Sequence, residues 1–322
     1  MGSSGGHTVA IVGGSGFVGR HLLARLVSRH DIRIRALRHE GRLPGDVLER
    51  GAELVEGDLF RPASLERLLV PGCTVVNLAY VSGYDRGLEA MDNLGKACVS
   101  AGVRRMIHCS TAVVAGRVTE TEVSEKTVCR PFKEYEVAKL AIEQLLVDRY
   151  GDRLEVIILR PTAVFGPGGR NLLKLMDNLT DGRRWLNYLR SCLSKHRRMN
   201  LVCVDNVVGA LVWSIGHDKP VREPEVFIVS DDEDPVNDYR SVEAELMRLL
   251  GQRPYIFPVV PVPLTLLSIL LRGMGRSNYN PSTVYSCRKL MESGFEKSVS
   301  VREGLADLAR WYRCSRTDGG DR

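Results

Sequence analysis

The chain has 322 residues and a formal net charge of +6, from 45 Lys and Arg against 39 Asp and Glu. At roughly 100–200 residues per domain, that length fits one large domain or two moderate ones. A content of 44% hydrophobic against 26% charged residues excludes a disordered or collagen-like chain. The charge excess is too mild for a dedicated nucleic-acid binder, so no nucleic-acid partner is expected. The eight cysteines include no pair at zinc-site or redox-motif spacing, so no metal is expected and reduced thiols in a cytoplasm fit best. The opening MGSSGGHTVAIVGG lacks the basic and long apolar regions of a secretory signal.

In chain order, Val9–Val12, Ile32–Leu37, Thr74–Ala79, Arg105–Cys109 and Glu155–Leu159 read as strands. Between them, Phe17–Arg29, Pro62–Leu69, Leu88–Ala101 and Tyr135–Tyr150 read as amphipathic helices. Such alternation implies βαβ crossovers and an α/β fold, a Rossmann-type doubly wound parallel sheet. Beyond residue 170 the reading is helical over 171–200, with strands near 201–205 and 226–230 and helices over Val242–Gly251 and Val301–Tyr312. The expected organisation is a cofactor domain over 1–170 completed by the two late strands. A smaller, discontinuous C-terminal substrate lobe follows from 171–200 and 231–314, and a flexible tail from Ser315.

Tyr255–Leu271 is a run of 17 residues without a charge. Pro258, Pro261 and Pro263 interrupt its first half, leaving too short an apolar stretch for a transmembrane span. A proline-rich loop entering a buried helix is expected, or an apolar wall for a ligand.

Directly after the first strand, Gly13, Gly16 and Gly19 form a GxxGxxG turn that runs into a helix. Such glycines permit a tight turn, close approach of backbone N–H groups to a pyrophosphate and close helix–strand packing. Gly13, Ser15, Gly16, Phe17, Val18 and Gly19 are therefore candidate dinucleotide ligands. At the end of the second strand, where NAD-specific sites carry an acid for the ribose hydroxyls, this chain has Arg38, which favours the 2′-phosphate of NADP over NAD.

Tyr135 and Lys139 are four residues apart at the start of a helix and so share a face. A neighbouring ammonium favours the phenolate, which makes tyrosine a usable acid or base near neutral pH.

These motifs together resemble the extended short-chain dehydrogenase/reductase superfamily, the NAD(P)-dependent epimerase/dehydratase family. The resemblance covers about residues 8–313. It implies that Leu78-Ala79 lies beside the cofactor, that Asp58-Leu59 receives the adenine, and that Pro161 backs the nicotinamide. It further implies that Thr111, 24 residues before Tyr135, polarises the substrate oxygen, with Ser110 as the alternative hydroxyl. Where 4,6-dehydratases of this family carry Asp-Glu after the threonine, Ala112 and Val113 stand here, which argues against dehydration. Arg198, seven residues before Asp205, matches the arginine that grips a nucleotide-sugar diphosphate, and Arg276 is a second candidate.

Residues 183–198 contain six Lys or Arg and no acid. Such blocks are commonly solvated faces or contacts to a charged surface.

The implied function is a nucleotide-sugar 4-epimerase or 4-ketoreductase. It would be a homodimeric cytoplasmic enzyme acting through Thr111, Tyr135 and Lys139 on a nucleoside-diphosphate sugar. Two alternatives remain at this point. One is an NADP-dependent reductase or dehydrogenase of an apolar, sterol-like or flavanone-like alcohol or ketone. The other is a non-catalytic NAD(P)-sensing module.

Overall fold

The computed structural model describes residues 7–39, 51–194, 197–260 and 280–317, with isolated positions 265, 269 and 273. The strands are β1 (His7–Val12), β2 (Ile32–Arg38), β3 (Glu53–Glu56), β4 (Thr74–Asn77), β5 (Arg105–Cys109), β6 (Glu122–Val123), β7 (Glu155–Pro161), β8 (Ala163–Phe165), β9 (Leu201–Cys203), β10 (Glu225–Val229) and β11 (Val284–Tyr285). The α-helices are α1 (Phe17–Leu26), α2 (Pro62–Leu68), α3 (Tyr84–Ser100), α4 (Glu134–Tyr150), α5 (Leu173–Asp181), α6 (Arg184–Ser194), α7 (Val204–Ile215), α8 (Tyr239–Leu249), α9 (Arg288–Glu292) and α10 (Val301–Thr317).

Seven strands form one sheet in the order β10-β7-β5-β4-β1-β2-β3, and the pairs from β3 through β7 are parallel. Val9–Ile11 of β1, Val75 and Val76 of β4 and Val156–Leu159 of β7 are fully buried apolar side chains, as expected of central strands covered on both faces. Helices α3 and α4 pack closely because Gly95 has no side chain: a Cβ there would lie 2.3 Å from the Tyr150 ring. Tyr150 in turn donates its hydroxyl to Asp92 at 2.7 Å. At the opposite end of β5, buried Arg105 donates to Glu155 on β7 at 2.8 Å and to the carbonyl oxygens of Ser214 and His217.

Two compact units emerge from the packing. The first comprises residues 1–114, 132–160 and 208–227, and the second residues 115–131, 161–207 and 228–322. The first carries the core between the sheet, α2, α3 and α4. The second has its own core, in which Phe165, Cys203, Leu246 and Leu308 are buried. There Gly304 on α10 is pressed against Cys203 and Phe165, with 2.8 Å left for a Cβ.

The structure departs from the sequence expectations at four places. Strand β3 was not predicted, because its four residues begin and end in glutamate. The strand expected near 201–205 for the large sheet instead pairs with β8 as a separate two-stranded sheet, while β10 does join the large one. Helix α10 runs to Thr317, past the expected start of the flexible tail, and Arg316 is paired with Asp181 at 2.7 Å. Finally, Ile256, Phe257 and Val260, expected in a loop entering a buried helix or in an apolar wall, are exposed. Most of residues 261–271 lies outside the described residues. Among the described residues no helix is long and apolar enough to cross a membrane.

His108 on β5 is fully buried, with Nδ1 at 3.0 Å from the Asn77 amide nitrogen. Burial, with the nearby Lys139 charge, holds its pKa well below the ordinary histidine value. Burial likewise lowers His7 and His217, helped by Arg105. The unfolded chain binds these protons below about pH 6.5 while the folded chain does not, so stability falls as pH drops through that value. The fully buried His108 contributes a slope of up to about 1.4 kcal/mol per pH unit, and the partly exposed His7 and His217 contribute less. Chemical denaturation at pH 7.5 and 5.5 checks this, and His108→Gln should shrink the difference. An unchanged difference would remove His108 as its source.

Candidate active site

The sheet order reverses at β1, which has β2 on one side and β4 on the other. Ligands of open α/β sheets bind beyond the carboxyl ends of strands at such a point. Here the β1–α1 turn is made almost wholly of backbone. Gly13 has φ of +83°, and a Cβ on it would lie 2.7 Å from the Leu78 and Ala79 backbone. A Cβ on Gly19 would approach the Gly13 carbonyl to 2.3 Å, and the Gly16 N–H donates to that carbonyl at 3.1 Å. Helix α1 has no side-chain cap and no acid in its first turn, so its leading N–H groups face the turn without a competing carboxylate. That donor set fits the pyrophosphate of a dinucleotide.

A cleft of about 880 Å³ opens over this turn, in the size range of cofactor sites. Gly13, Ser15, Gly16, Phe17, Val18 and Gly19 line it, and so do Asp58, Leu59, Leu78 and Ala79. The Asp58 carboxylate accepts the Phe60 N–H at 3.0 Å. It does not cap α2, whose N-cap is Arg61. Arg38 ends β2 but is not among the cleft residues; its guanidinium is paired with Glu56 on β3. His39, next in sequence, lines the cleft instead and lies 3.6 Å from Asp58. The sequence reading missed His39, Phe60, Tyr80 and Arg86, all at the cleft. Their signal was proximity: each lies within a few residues of a strand end or motif that the reading did identify.

Helix α4 brings the chemistry to the end of β5. Its first turn is held by the buried Glu136 carboxylate, which accepts the N–H groups of Phe132 and Lys133 at 2.9 and 3.2 Å. A carboxylate three residues into a helix satisfies donors that have no partner within it. Tyr135 is thereby fixed in the first turn, hydrogen-bonded to the Thr111 side chain. Its ring packs edge-on against Tyr80, with centroids 5.5 Å apart. Lys139, one turn on, is buried and donates Nζ to the Cys109 carbonyl at 3.3 Å. Burial raises the Tyr135 pKa, with the Cys109 side chain adding to it and the Thr111 hydrogen bond opposing. Burial lowers the Lys139 pKa, against the pull of Cys109 and Glu143. The phenol is thus protonated at neutral pH.

Ser110 is placed differently from the expectation of a substrate contact. It is buried, and its hydroxyl donates to Glu143 on α4. Arg160, on β7, grips the same carboxylate with Nε at 3.0 Å and a terminal nitrogen at 2.5 Å. Thr111 is left as the hydroxyl beside Tyr135. Beyond it, Ala112–Ala115 form one turn of 3-10 helix with neither acid nor base at Ala112 and Val113. Pro161 closes β7. In the second unit, the Arg198 backbone N–H donates to the Pro281 carbonyl at 2.8 Å, and its backbone bridges Asp238. Arg276 lies outside the described residues.

Residues 9–230 match the NAD dependent epimerase/dehydratase family. The chain belongs to that family. It is 29% identical over 245 residues to the UDP-glucose 4-epimerase of Vibrio cholerae, covering 70% of this chain and 71% of that one. It is 31% identical over 191 residues to a 4-hydroxy-2-methyl-3-oxo-4-farnesyl-3,4-dihydroquinoline-1-oxide ketoreductase of Stigmatella aurantiaca, covering 55% and 57% of the two chains. Among solved structures, MoeE5 in complex with UDP-glucose and NAD aligns at a TM-score of 0.70 and 25% identity, over 97% of this chain and 100% of that one. A UDP-glucose 4-epimerase from Thermotoga maritima aligns at 0.71 over 96% and 99%, and at 20% identity its likeness is one of fold. Members of the family are NAD(P)-dependent oxidoreductases and epimerases, and this chain is an enzyme of that kind.

Breaking the Glu143–Arg160 pair from one side should cost about 3–5 kcal/mol, because it leaves a buried, unbalanced guanidinium. Denaturant unfolding of Glu143→Gln and of the double variant Glu143→Met/Arg160→Met tests this. The double variant should recover most of the loss, and equal losses in both would show that the charge balance is immaterial.

Proposed function

We propose that the protein is an NAD(P)-dependent nucleotide-sugar 4-epimerase or 4-ketoreductase. The observation that carries this reading is the grouping of Thr111, Tyr135 and Lys139 at the end of β5, in the unit that holds the backbone-lined cleft. The UDP-glucose 4-epimerase relative and the UDP-glucose complex of MoeE5 support the sugar-nucleotide class.

Tyr135 exchanges a proton with the C4 oxygen of the sugar. Thr111 hydrogen-bonds that oxygen and holds the Tyr135 hydroxyl toward it. Lys139 contributes a buried ammonium that favours phenolate and binds the nicotinamide ribose. The cofactor, when bound, supplies the hydride acceptor or donor and, in its oxidised form, the positive charge that lowers the Tyr135 pKa. Ala112 and Val113 provide no second acid–base pair, so the sugar leaves with its oxygen count unchanged. Arg198 and Arg276 are assigned to the diphosphate, and Arg38 to an NADP 2′-phosphate in competition with Glu56.

Thermal-shift measurements with NAD and NADP, then with UDP-, GDP- and dTDP-sugars, test the assignment. At least one nucleoside-diphosphate sugar should raise Tm and be converted, and Tyr135→Phe should lower kcat about 10²–10⁴-fold without losing cofactor binding. Interconversion without net cofactor use identifies an epimerase, and stoichiometric oxidation of NAD(P)H a reductase. Arg38→Asp should weaken NADP more than NAD, and equal effects would refute the role given to Arg38. Failure of every nucleotide sugar would sink the assignment. It would favour the second reading, reduction of an apolar ketone, which the farnesyl-bearing substrate of the ketoreductase relative supports.

A further inference from the structure

Helix α6 is built inside out. At about 3.6 residues per turn, Trp185, Leu189 and Leu193 fall on one line along it, with Asn187 and Ser191 on the opposite side. A helix on a soluble protein hides such an apolar line. Here Trp185, Leu189 and Leu193 are 58%, 47% and 39% exposed, while Asn187 and Ser191 are buried. The buried polar pair has partners: Ser191 donates to Glu243 on α8 at 2.5 Å, and the Asn187 amide donates to the Asn178 carbonyl on α5 at 2.5 Å. The orientation of α6 is therefore fixed by satisfied hydrogen bonds, and the apolar line is presented outward as a result.

The segment that begins at Arg253 enlarges this face. Arg184 donates to the Arg253 carbonyl at 3.0 Å, Tyr188 donates its hydroxyl to the Pro258 carbonyl at 3.0 Å, and the rings of Tyr188 and Tyr255 meet edge-on at 5.6 Å. Beside α6, Ile256, Phe257 and Val260 are 87%, 69% and 63% exposed. Arg183, Arg184, Arg190 and Arg253, in or beside the same two segments, are exposed. The sequence from 183 to 198 adds further cations and no acid.

We propose that this face of the second unit docks onto the surface of an anionic phospholipid bilayer. Exposed Trp, Leu, Ile and Phe together with exposed arginines match the headgroup–acyl boundary, where apolar side chains enter the lipid and cations meet phosphate. Tryptophan in particular favours that boundary, since its ring is apolar and its N–H needs a polar partner. A second copy of this chain is a poorer occupant, because a two-fold contact would bring the same unbalanced arginines together. Nucleic acid would leave the apolar side chains in water. The protein would lie on the bilayer through this face of the second unit. The proposal stands independently of the sugar-nucleotide reading.

The test is flotation of the full chain with vesicles of phosphatidylcholine containing 30% phosphatidylglycerol, against vesicles of phosphatidylcholine alone, at about 0.1 M salt, where surface charges are still felt. The wild-type protein should float with the anionic vesicles only. Trp185→Ser/Leu189→Ser and, separately, Arg183→Glu/Arg253→Glu should each reduce the bound fraction at least ten-fold while keeping the wild-type Tm and NAD(P)-induced thermal shift. Absence of flotation with anionic vesicles would overturn the proposal, as would binding unchanged in both variants. Self-association that disappears with Trp185→Ser/Leu189→Ser, without vesicle binding, would assign the face to a second copy and overturn it equally. A failed sugar-nucleotide screen leaves these outcomes untouched, so the two readings fail separately.

Discussion

A carboxylate taken out of water must be satisfied or neutralised, and the chemical half of this enzyme is arranged around one such group. Glu143 sits in the middle of α4 and holds Arg160 of β7 together with the hydroxyl of Ser110, the residue that follows β5. Because the ion is buried, weakening either partner is costly, and the ends of two strands are locked to the helix. Thr111 follows Ser110 directly, and Lys139 lies one turn before Glu143, so the buried carboxylate helps to hold both in place. An apolar cluster of equal volume would fill this space at no loss of stability, but it would not specify direction in the same way.

The cofactor cleft obeys the opposite rule. Around the β1–α1 turn the positioning is done by main chain, and the nearest side chains are excluded by contact distances that leave no room for a Cβ. Of the charged groups nearby, Arg38 and Glu56 hold each other outside the cleft lining, while His39 and Asp58 face each other within it. In the other half, the charged groups are interior and their protonation is set by burial more than by pairing. The same fold thus combines a turn built of main chain with a titratable pair, Tyr135 and Lys139, whose protonation burial shifts in opposite directions.

What could be read from sequence follows from how local each signal is. Central strands announce themselves as β-branched runs, the phosphate turn as three spaced glycines, and the Tyr135–Lys139 pair as one helical turn. Strand β3 did not, since four residues bounded by glutamates carry no alternation, and with it the Arg38–Glu56 pairing was hidden. The partner of β9 was equally invisible: a strand's neighbours are decided by distant chain, and Leu201 lies opposite Ala163. Spacing favoured Thr111 and kept Ser110 as the alternative hydroxyl, and the buried bond from Ser110 to Glu143 was not legible in the sequence. Tyr80 escaped notice because the motif it follows was read as ending at Ala79. On α6, the count of cations was legible, but the reversal of its faces was not, because it depends on Glu243 and Asn178 accepting from positions that a period alone assigns to solvent.

The absence of a Cβ at Gly13 reaches beyond the turn itself. With the Leu78–Ala79 main chain pressed against it, the loop after β1 and the loop after β4 are in direct contact, and under the proposed function they meet only what every dinucleotide has in common. A diphosphate has the same shape and charge whether the nicotinamide is reduced or oxidised, and whether or not the ribose is phosphorylated. Selectivity must then come from elsewhere along the cleft. Cofactor preference can therefore drift by changes at two or three rim positions over evolutionary time, while the glycine turn beneath them is left with no tolerated alternative.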